Sequence, residues 1–253
     1  MQQTMAVPQR DPRPRLALTA AAAAAVFVWL AVTTESGRSL AAHDPAVTAW
    51  AVSLRHELIT AVAWMFTHLG GTLGLTALTV LTCTLLLLRG LRRHALVLAG
   101  AMIGSSLLTV LLKIIFARSR PSTSLLLGQP ASSWSFPSGH SFNTGVFMGV
   151  LAGFVLFSTT APARKALAAT AASVVIVLVG LSRVYLAYHW LTDVLAGWSI
   201  ALVWLCAVGV TALTVHRHSR PLPAHSGPPE PGRAHPDQSG VDAVDPPPSR
   251  AGE

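Results

Sequence analysis

His189 and Asp193 lie four residues apart at the head of a long apolar run, a spacing that puts both on one face of a helix, one turn apart. An aspartate bonded to one ring nitrogen of an imidazole fixes its tautomer and leaves the other nitrogen free to attack. Without such a partner, an acid at the start of an apolar helix is costly. Just upstream, Ser182-Arg183 closes another apolar run, and far earlier come Lys113 and Arg120-Pro121. Lys113 and Arg120 are seven apart, so a helix sets them on one face, two turns apart. Pro121 discourages helical backbone at Arg120 and predicts that the helix ends there. The last piece is Pro137-Ser138-Gly139-His140, ahead of a further apolar run. Glycine lets backbone approach an anion closely, and proline is tolerated in a first helical turn. A helix start offers unpaired N–H groups and the positive end of a dipole, which suits phosphate. Ser138 adds a hydroxyl donor, and His140 can give or take a proton.

Taken singly, these pieces have ordinary explanations. A histidine in a membrane helix packs or hydrogen-bonds as often as it reacts, a Ser-Gly-His loop is common, and Lys or Arg at a helix end usually anchors it to an interface. Lys113 alone, several residues inside an apolar helix, is accounted for by snorkelling. What raises their weight is their convergence: three cations, two histidines and one carboxylate fall at one level of the chain's topology.

That topology follows from composition. Of 253 residues, 52% are hydrophobic and only 11% charged, too little charge to cover a soluble domain of this size. The net charge of +8 is placed mostly at the ends of apolar runs, which suits anionic lipid headgroups better than nucleic acid. No basic patch interleaved with aromatic residues, as single strands require, is present in the sequence. Cys83 and Cys206 lie inside apolar runs without metal-ligand spacing and read as small buried hydrophobes.

Six spans are expected, each needing roughly 20 apolar residues. They run from about Leu16 to Thr34, Thr72 to Leu88, Ala95 to Phe116, Ser138 to Phe157, Ala166 to Tyr185 and Trp190 to Val215. The first resembles a signal peptide in its Arg-rich start and Ala-rich core, but its length and the spans behind it favour a retained helix. Gly70-Gly71 divides a short lead-in from span two, and part of the mixed stretch 35–57 is expected along the interface. Residues 122–136, in a Ser- and Pro-rich loop, and 35–57 are expected to shape a headgroup pocket. Beyond His216 the Pro-, Gly- and Ser-rich sequence cannot bury enough surface to offset its ordering entropy. The expected organisation is a cytoplasmic N-terminal segment over 1–15, a six-helix membrane domain over 16–216 and a disordered cytoplasmic tail over 217–253. Basic clusters at Arg10–Arg15, Arg89–Arg93, Arg164-Lys165 and Arg217–Arg220 all fall on one side, which the positive-inside rule makes cytoplasmic. The fold class is therefore all-α and polytopic, with both termini cytoplasmic. Lys113, Arg118, Arg120 and Arg183 lie at the opposite ends, against that rule.

The pattern Lys113-x6-Arg120-Pro121, Pro137-Ser138-Gly139-His140 and Ser182-Arg183-x5-His189-x3-Asp193 resembles the three-part signature of the type 2 phosphatidic acid phosphatase superfamily. Every defining position is filled in order, over about residues 113–193. Soluble acid phosphatases and vanadium haloperoxidases share the signature, but this hydropathy fits the six-helix membrane branch. The resemblance implies a phosphatase in the cell membrane with its site facing outward. Its substrate would be a lipid-linked phosphate such as polyprenyl diphosphate, phosphatidate or phosphatidylglycerol phosphate. It implies that Lys113, Arg120 and Arg183 hold phosphate oxygens, with Ser138 and the Gly139 N–H adding hydrogen bonds. His189 would form a phosphohistidine, Asp193 would orient it, and His140 would protonate the leaving oxygen and then activate water. No metal ion and no cofactor is implied, since fixed cations can neutralise the transferring phosphoryl group.

Other residues stay open. Arg118 either steers anionic headgroups or marks a helix end. His43, His56 and His68 are interface or loop residues, or one lines the headgroup entrance. His94, His216 and His218 sit with basic anchors, and Trp190 and Trp198 read as belt or packing residues. A phosphotransferase would use the same site, and an anion or lipid transporter is compatible with six helices and buried cations. A transporter, however, would more often show paired halves with broken helices. Nothing in the sequence specifies an oligomeric state.

Overall fold

A computed structural model describes residues 11–218, with side chains described through residue 214. Eight α-helices form this part of the chain: α1 (Arg13–Ser36), α2 (Asp44–Ser53), α3 (Glu57–Leu69), α4 (Thr72–Leu88), α5 (Arg92–Phe116), α6 (Gly139–Leu156), α7 (Pro162–Tyr185) and α8 (Leu191–His218). A 3-10 turn, Ser39–His43, leads into α2. The expected tail lies outside the described residues from position 219 onward, and α8 itself continues to His218, slightly past the expected end of span six.

Helices α1, α5, α6, α7 and α8 are each long and apolar enough to cross a membrane, and α3 with α4 passes as one pair bent by 55°. That gives five crossings, or the expected six with the bent pair as one span, and makes the chain a multi-pass membrane protein. The second crossing differs from the simple span expected. Its lead-in is a full helix, and the bend falls at Gly70-Gly71 because two helices must pass close there. A Cβ on Gly70 would lie 2.4 Å from Val179 Cγ1 and 2.9 Å from Thr144 Oγ1, so any side chain would push the elbow off α6 and α7.

The bundle is wrapped outward in large apolar side chains, among them Leu73, Leu107, Ile114 and Leu167, the arrangement a lipid solvent requires. Its centre is built on α6. Phe142, Val146 and Val150 meet Leu98 and Met102 of α5 and Ala201 of α8. Close approach of α6 and α8 depends on Gly197, where a Cβ would lie 2.8 Å from the Ser138 carbonyl oxygen and 2.9 Å from Ser141 Cβ. This crossing sets the start of α6 against the start of α8. A second cluster holds the same end from the other side: Phe27 of α1, Phe116 and Phe136 pack with centroids 4.9–6.1 Å apart. It fixes the chain immediately ahead of Pro137-Ser138.

Candidate active site

The ends of α5 and α7 and the starts of α6 and α8 gather at one end of the bundle. Each is stopped or started by local chemistry. α5 stops at Phe116, where Ala117 takes a left-handed conformation with φ 40° and its N–H bonds the Lys113 carbonyl at 3.0 Å. Arg120 therefore does not share a helical face with Lys113. The two cations are brought together by the loop, and the helix ends one turn before the proline that was expected to end it. α6 begins at Gly139 with Ser138 as its cap, whose hydroxyl accepts from Ser141 N at 3.4 Å and from Ser141 Oγ at 3.0 Å. Pro137 thus precedes the cap instead of occupying the first turn. In both bonds Ser138 accepts, so its own hydroxyl proton can point elsewhere. Ser138 N bonds the Asp193 carbonyl at 3.0 Å, which ties this motif to α8.

His189 also lies outside its expected helix, because α8 begins at Leu191. Ala187, at φ 58°, turns the chain, and the Asp193 carboxylate reaches back over the helix start. Its Oδ2 accepts from Trp190 N at 3.0 Å and faces His189 Nδ1 at 3.3 Å. Both side chains are buried, His189 at 2% and Asp193 at 0% exposure. The other ring nitrogen, Nε2, faces Arg120 Nη1 at 3.2 Å. Burial first, then the charges of Arg120, Lys113 and Arg183, hold the His189 imidazole well below its usual pKa. It stays neutral at physiological pH, so one nitrogen keeps a lone pair.

The cations are held mainly by neutral oxygens. Arg120 Nε donates to Ser133 O at 2.8 Å, Nη1 to Tyr188 O at 2.6 Å and Nη2 to Trp134 O at 3.2 Å. Burial lowers the Arg120 pKa from its ordinary value, opposed by Asp193. Lys113 Nζ donates to Trp134 O and, at 3.4 Å, to Ser135 O. Arg183 is 5% exposed. Its Nη1 donates to Thr67 Oγ1 and its guanidinium carbon lies 4.0 Å from the Tyr188 ring centroid. Gly139 stands beside Lys113, since a Cβ there would lie 3.9 Å from Lys113 Cε. A Cβ on Gly71 would lie 3.5 Å from His140 Nε2, so the α3–α4 elbow forms the wall behind that imidazole. All eight residues singled out in the sequence, Lys113, Arg120, Ser138, Gly139, His140, Arg183, His189 and Asp193, come to this end of the bundle.

Four residues beyond these eight also belong to the site. Thr67 holds Arg183. Ser135 donates its hydroxyl to Asp193 Oδ2 and lies 3.3 Å from His189 Nδ1. Arg118, left open between steering headgroups and marking a helix end, pairs with Asp193 Oδ1 at 2.6 Å and with Asp44 Oδ2 at 2.8 Å. Asp44, an acid before Pro45 in a mixed-charge stretch, carried only the signal of a helix start. Trp190 reaches across to the loop after α5, its Nε1 donating to Ser119 O at 2.9 Å and its ring centroid 5.7 Å from Arg118 Cζ. Beside Arg120 a cleft of about 540 Å³ is lined by Ser119, Ser122, Thr123, Ser133 and Tyr188 among others, so part of the 122–136 loop forms its wall. The 35–57 stretch is divided, with Asp44 buried behind the site and Arg55 and His56 lining a separate shallow groove.

The PAP2 superfamily model matches residues 94–217. Phosphatidylglycerophosphatase B of Bacillus subtilis (strain 168) is 34% identical over 161 residues, spanning 63% of this chain and 78% of that protein. The chain belongs to the PAP2 superfamily. This PAP2 fold superimposes on a crystal structure of a transmembrane PAP2 type phosphatidylglycerolphosphate phosphatase from Bacillus subtilis. The TM-score is 0.66 at 30% identity, over 76% of this chain and 96% of the other. A crystal structure of LpxE from Aquifex aeolicus shares the fold at 23% identity, with a TM-score of 0.51 over 68% of this chain and 94% of the other. PAP2 membership together with the phosphatidylglycerophosphatase relative makes the chain a phosphatase, a hydrolase of phosphate ester or diphosphate bonds.

Proposed function

We propose that this PAP2 protein hydrolyses a lipid-linked phosphomonoester or diphosphate at the extracytoplasmic face, through a phosphohistidine at His189 and without a metal ion. The observation that carries the reading is the divided imidazole: Nδ1 faces Asp193 and Nε2 faces Arg120. A phosphate oxygen held by Arg120 brings phosphorus to the nitrogen that owns the lone pair. In the first step the Nε2–P bond forms and the P–O bond to the lipid breaks. Asp193 steadies the positive imidazole, and His140 gives a proton to the leaving oxygen. In the second step His140 takes a proton from water, the water oxygen bonds phosphorus, and the N–P bond breaks to release phosphate. Lys113, Arg120 and Arg183, with Ser138 and the Gly139 N–H, neutralise the charge that spreads over the phosphoryl oxygens. Such a ring of cations supplies what a divalent ion supplies elsewhere, which supports metal independence.

The membrane face is supported by charge placement. Arg92 and Arg93 begin α5, and Arg164 and Lys165 lie in the first turn of α7, at the ends of those helices away from the site. The named Bacillus relative supports phosphatidylglycerol phosphate as the first substrate to try, ahead of phosphatidate and polyprenyl diphosphate. The test is phosphate release from each of these lipids by purified protein with EDTA present, alongside trapping of labelled phosphate on the protein. An acid-labile label absent from His189→Ala is expected. Undiminished hydrolysis by His189→Ala, or activity lost to EDTA and restored by a divalent ion, overturns the reading.

A further inference from the structure

Asp193 is saturated in an uneven way. Its Oδ2 meets Ser135 Oγ, Trp190 N and His189 Nδ1, whereas Oδ1 meets Arg118 Nη1 at 2.6 Å. Whatever fixes Arg118 therefore fixes the plane of the carboxylate and the aim of Oδ2 at the imidazole. Arg118 is fixed from outside the sequence signature. Its Nη2 donates to Asp44 Oδ2 at 2.8 Å, and its backbone carbonyl accepts from Ser135 N at 2.8 Å. Asp44 is 2% exposed. It also accepts from Thr192 N at 3.1 Å and from Thr192 Oγ1, so it caps the start of the helix that carries Asp193. The Thr192 hydroxyl lies between, 2.7 Å from Arg118 Nη1.

The charges matter as much as the geometry. One guanidinium alone against Asp193 would cancel the negative charge that the imidazole needs as it becomes positive. With Asp44 on its other side, Arg118 is shared by two carboxylates, and the buried group keeps a formal charge of −1. Burying an acid that far from water is expensive unless it is paired, and its partner here leads straight to the proposed orienting residue.

We propose that Asp44 and Arg118 are positioning residues. They act through Asp193, holding its carboxylate in plane and leaving its charge free for His189. This rests on the reading of Asp193 as the residue that orients the nucleophile. The expected signature is a loss in kcat with substrate binding intact, because neither side chain is among those proposed to hold phosphate. Asp44→Asn keeps the shape and removes the charge. It should lower kcat about 10- to 100-fold, the range for partners that orient a reactive group from behind, with KM changed less than about twofold. Arg118→Gln should lose at least as much, and Arg118→Lys should recover part of it. Adding Asp44→Asn to Arg118→Gln should cost little more, since the first residue acts through the second.

All kinetics are read on protein that elutes as the wild type in detergent, with its thermal midpoint recorded. If Asp44→Asn does not fold, Thr192→Val, which removes the hydroxyl shared by both groups, takes its place. Unchanged kcat in Asp44→Asn, or independent losses in the double variant that track the thermal midpoint, would overturn the proposal. His189→Ala and Asp193→Asn run beside it. Should they retain activity, the underlying mechanism fails. Should they be inactive while Asp44→Asn is normal, only the positioning role fails.

Discussion

The two halves of this site are built on opposite principles. Around Asp193 the contacts are directed and largely buried: Asp44, Arg118 and Asp193 alternate in sign, and Ser135 and Trp190 fill the remaining lone pairs. Around Arg120 and Lys113 the partners are neutral carbonyls of Ser133, Trp134 and Tyr188. A carbonyl oxygen is a weaker acceptor for a cation than a phosphate oxygen, because hydrogen bonds between ionised groups are roughly twice as strong. The first half is made to stay as it is. The second is made so that its donors can be recruited by a more negative ligand.

If that contrast is right, breaking the closed half destroys the chemistry outright. His189→Ala should lower kcat by about four to six orders of magnitude, and Asp193→Asn by about 10⁴-fold, as where an orienting acid is made neutral. Steady-state phosphate release measures both, and only Asp193→Asn should still take label slowly. A residual rate within tenfold of wild type in either variant would place the nucleophile elsewhere.

Damage to the open half should appear first as weaker binding of phosphoryl charge. Arg120→Lys keeps the charge but loses the fork that spans the loop and His189, and Arg183→Lys loses its stacking on Tyr188. Each should reduce kcat/KM by about 10²- to 10³-fold, the scale for one donor to a developing oxyanion. Arg183, held by Thr67 and buried, should show more of its loss in kcat, and Arg120 more in KM. Identical splits for both would mean that the halves do not differ as argued.

How much of this the sequence disclosed follows the same division. The open half was legible because its residues are chemically costly where they stand: cations at the ends of apolar helices away from the main basic clusters have few reasons to exist. Lys113, Arg120 and Arg183 announce themselves by violating the charge bias of a membrane protein. The closed half was legible only in part. His189 and Asp193 could be paired by spacing, although the pairing is made by a turn and not by a shared helical face. Arg118, Asp44, Ser135 and Thr67 were not assigned such roles, because a polar residue near a helix end is unremarkable until its tertiary neighbour is known. Asp44 lies 149 positions before Asp193 in the chain, and no local period connects them. The bend between α3 and α4 was foreshadowed by Gly70-Gly71, but what made it necessary, Val179 and Thr144 pressing on the elbow, lies in two other helices.

A finer division exists within the cation cluster itself. Thr67 supplies the hydroxyl that receives Arg183 Nη1, and Thr67 is 3% exposed. Thr67→Val removes one acceptor from a buried cation. A hydrogen bond to a charged group contributes about 1.5–3 kcal/mol, so a fall in kcat/KM of about 10- to 100-fold is expected, below the loss for direct removal of a cation. Rescue by Thr67→Ser, which restores the hydroxyl without the methyl group, should recover most of it. No recovery would mean that the elbow fills space beside Arg183 and does not aim it.

The smallest effect is a matter of pH, and its sign follows from His189. Burial and three neighbouring cations hold its folded-state pKa well below the usual value, while in the unfolded chain it returns to about 6.5. Above that pH neither state carries the proton and the group leaves stability unchanged. As pH falls through about 6.5, the unfolded chain takes a proton that the folded chain refuses, so stability falls until the depressed folded pKa is reached. The slope from this one group is at most about 1.4 kcal/mol per pH unit. His189→Gln removes it and keeps a polar side chain of similar reach. The variant, although inactive, should lose less of its thermal midpoint between pH 7 and pH 5 than the wild type does. Equal acid sensitivity would mean that the imidazole titrates normally, and the cations would then lie too far from it to aim a phosphoryl group at its nitrogen.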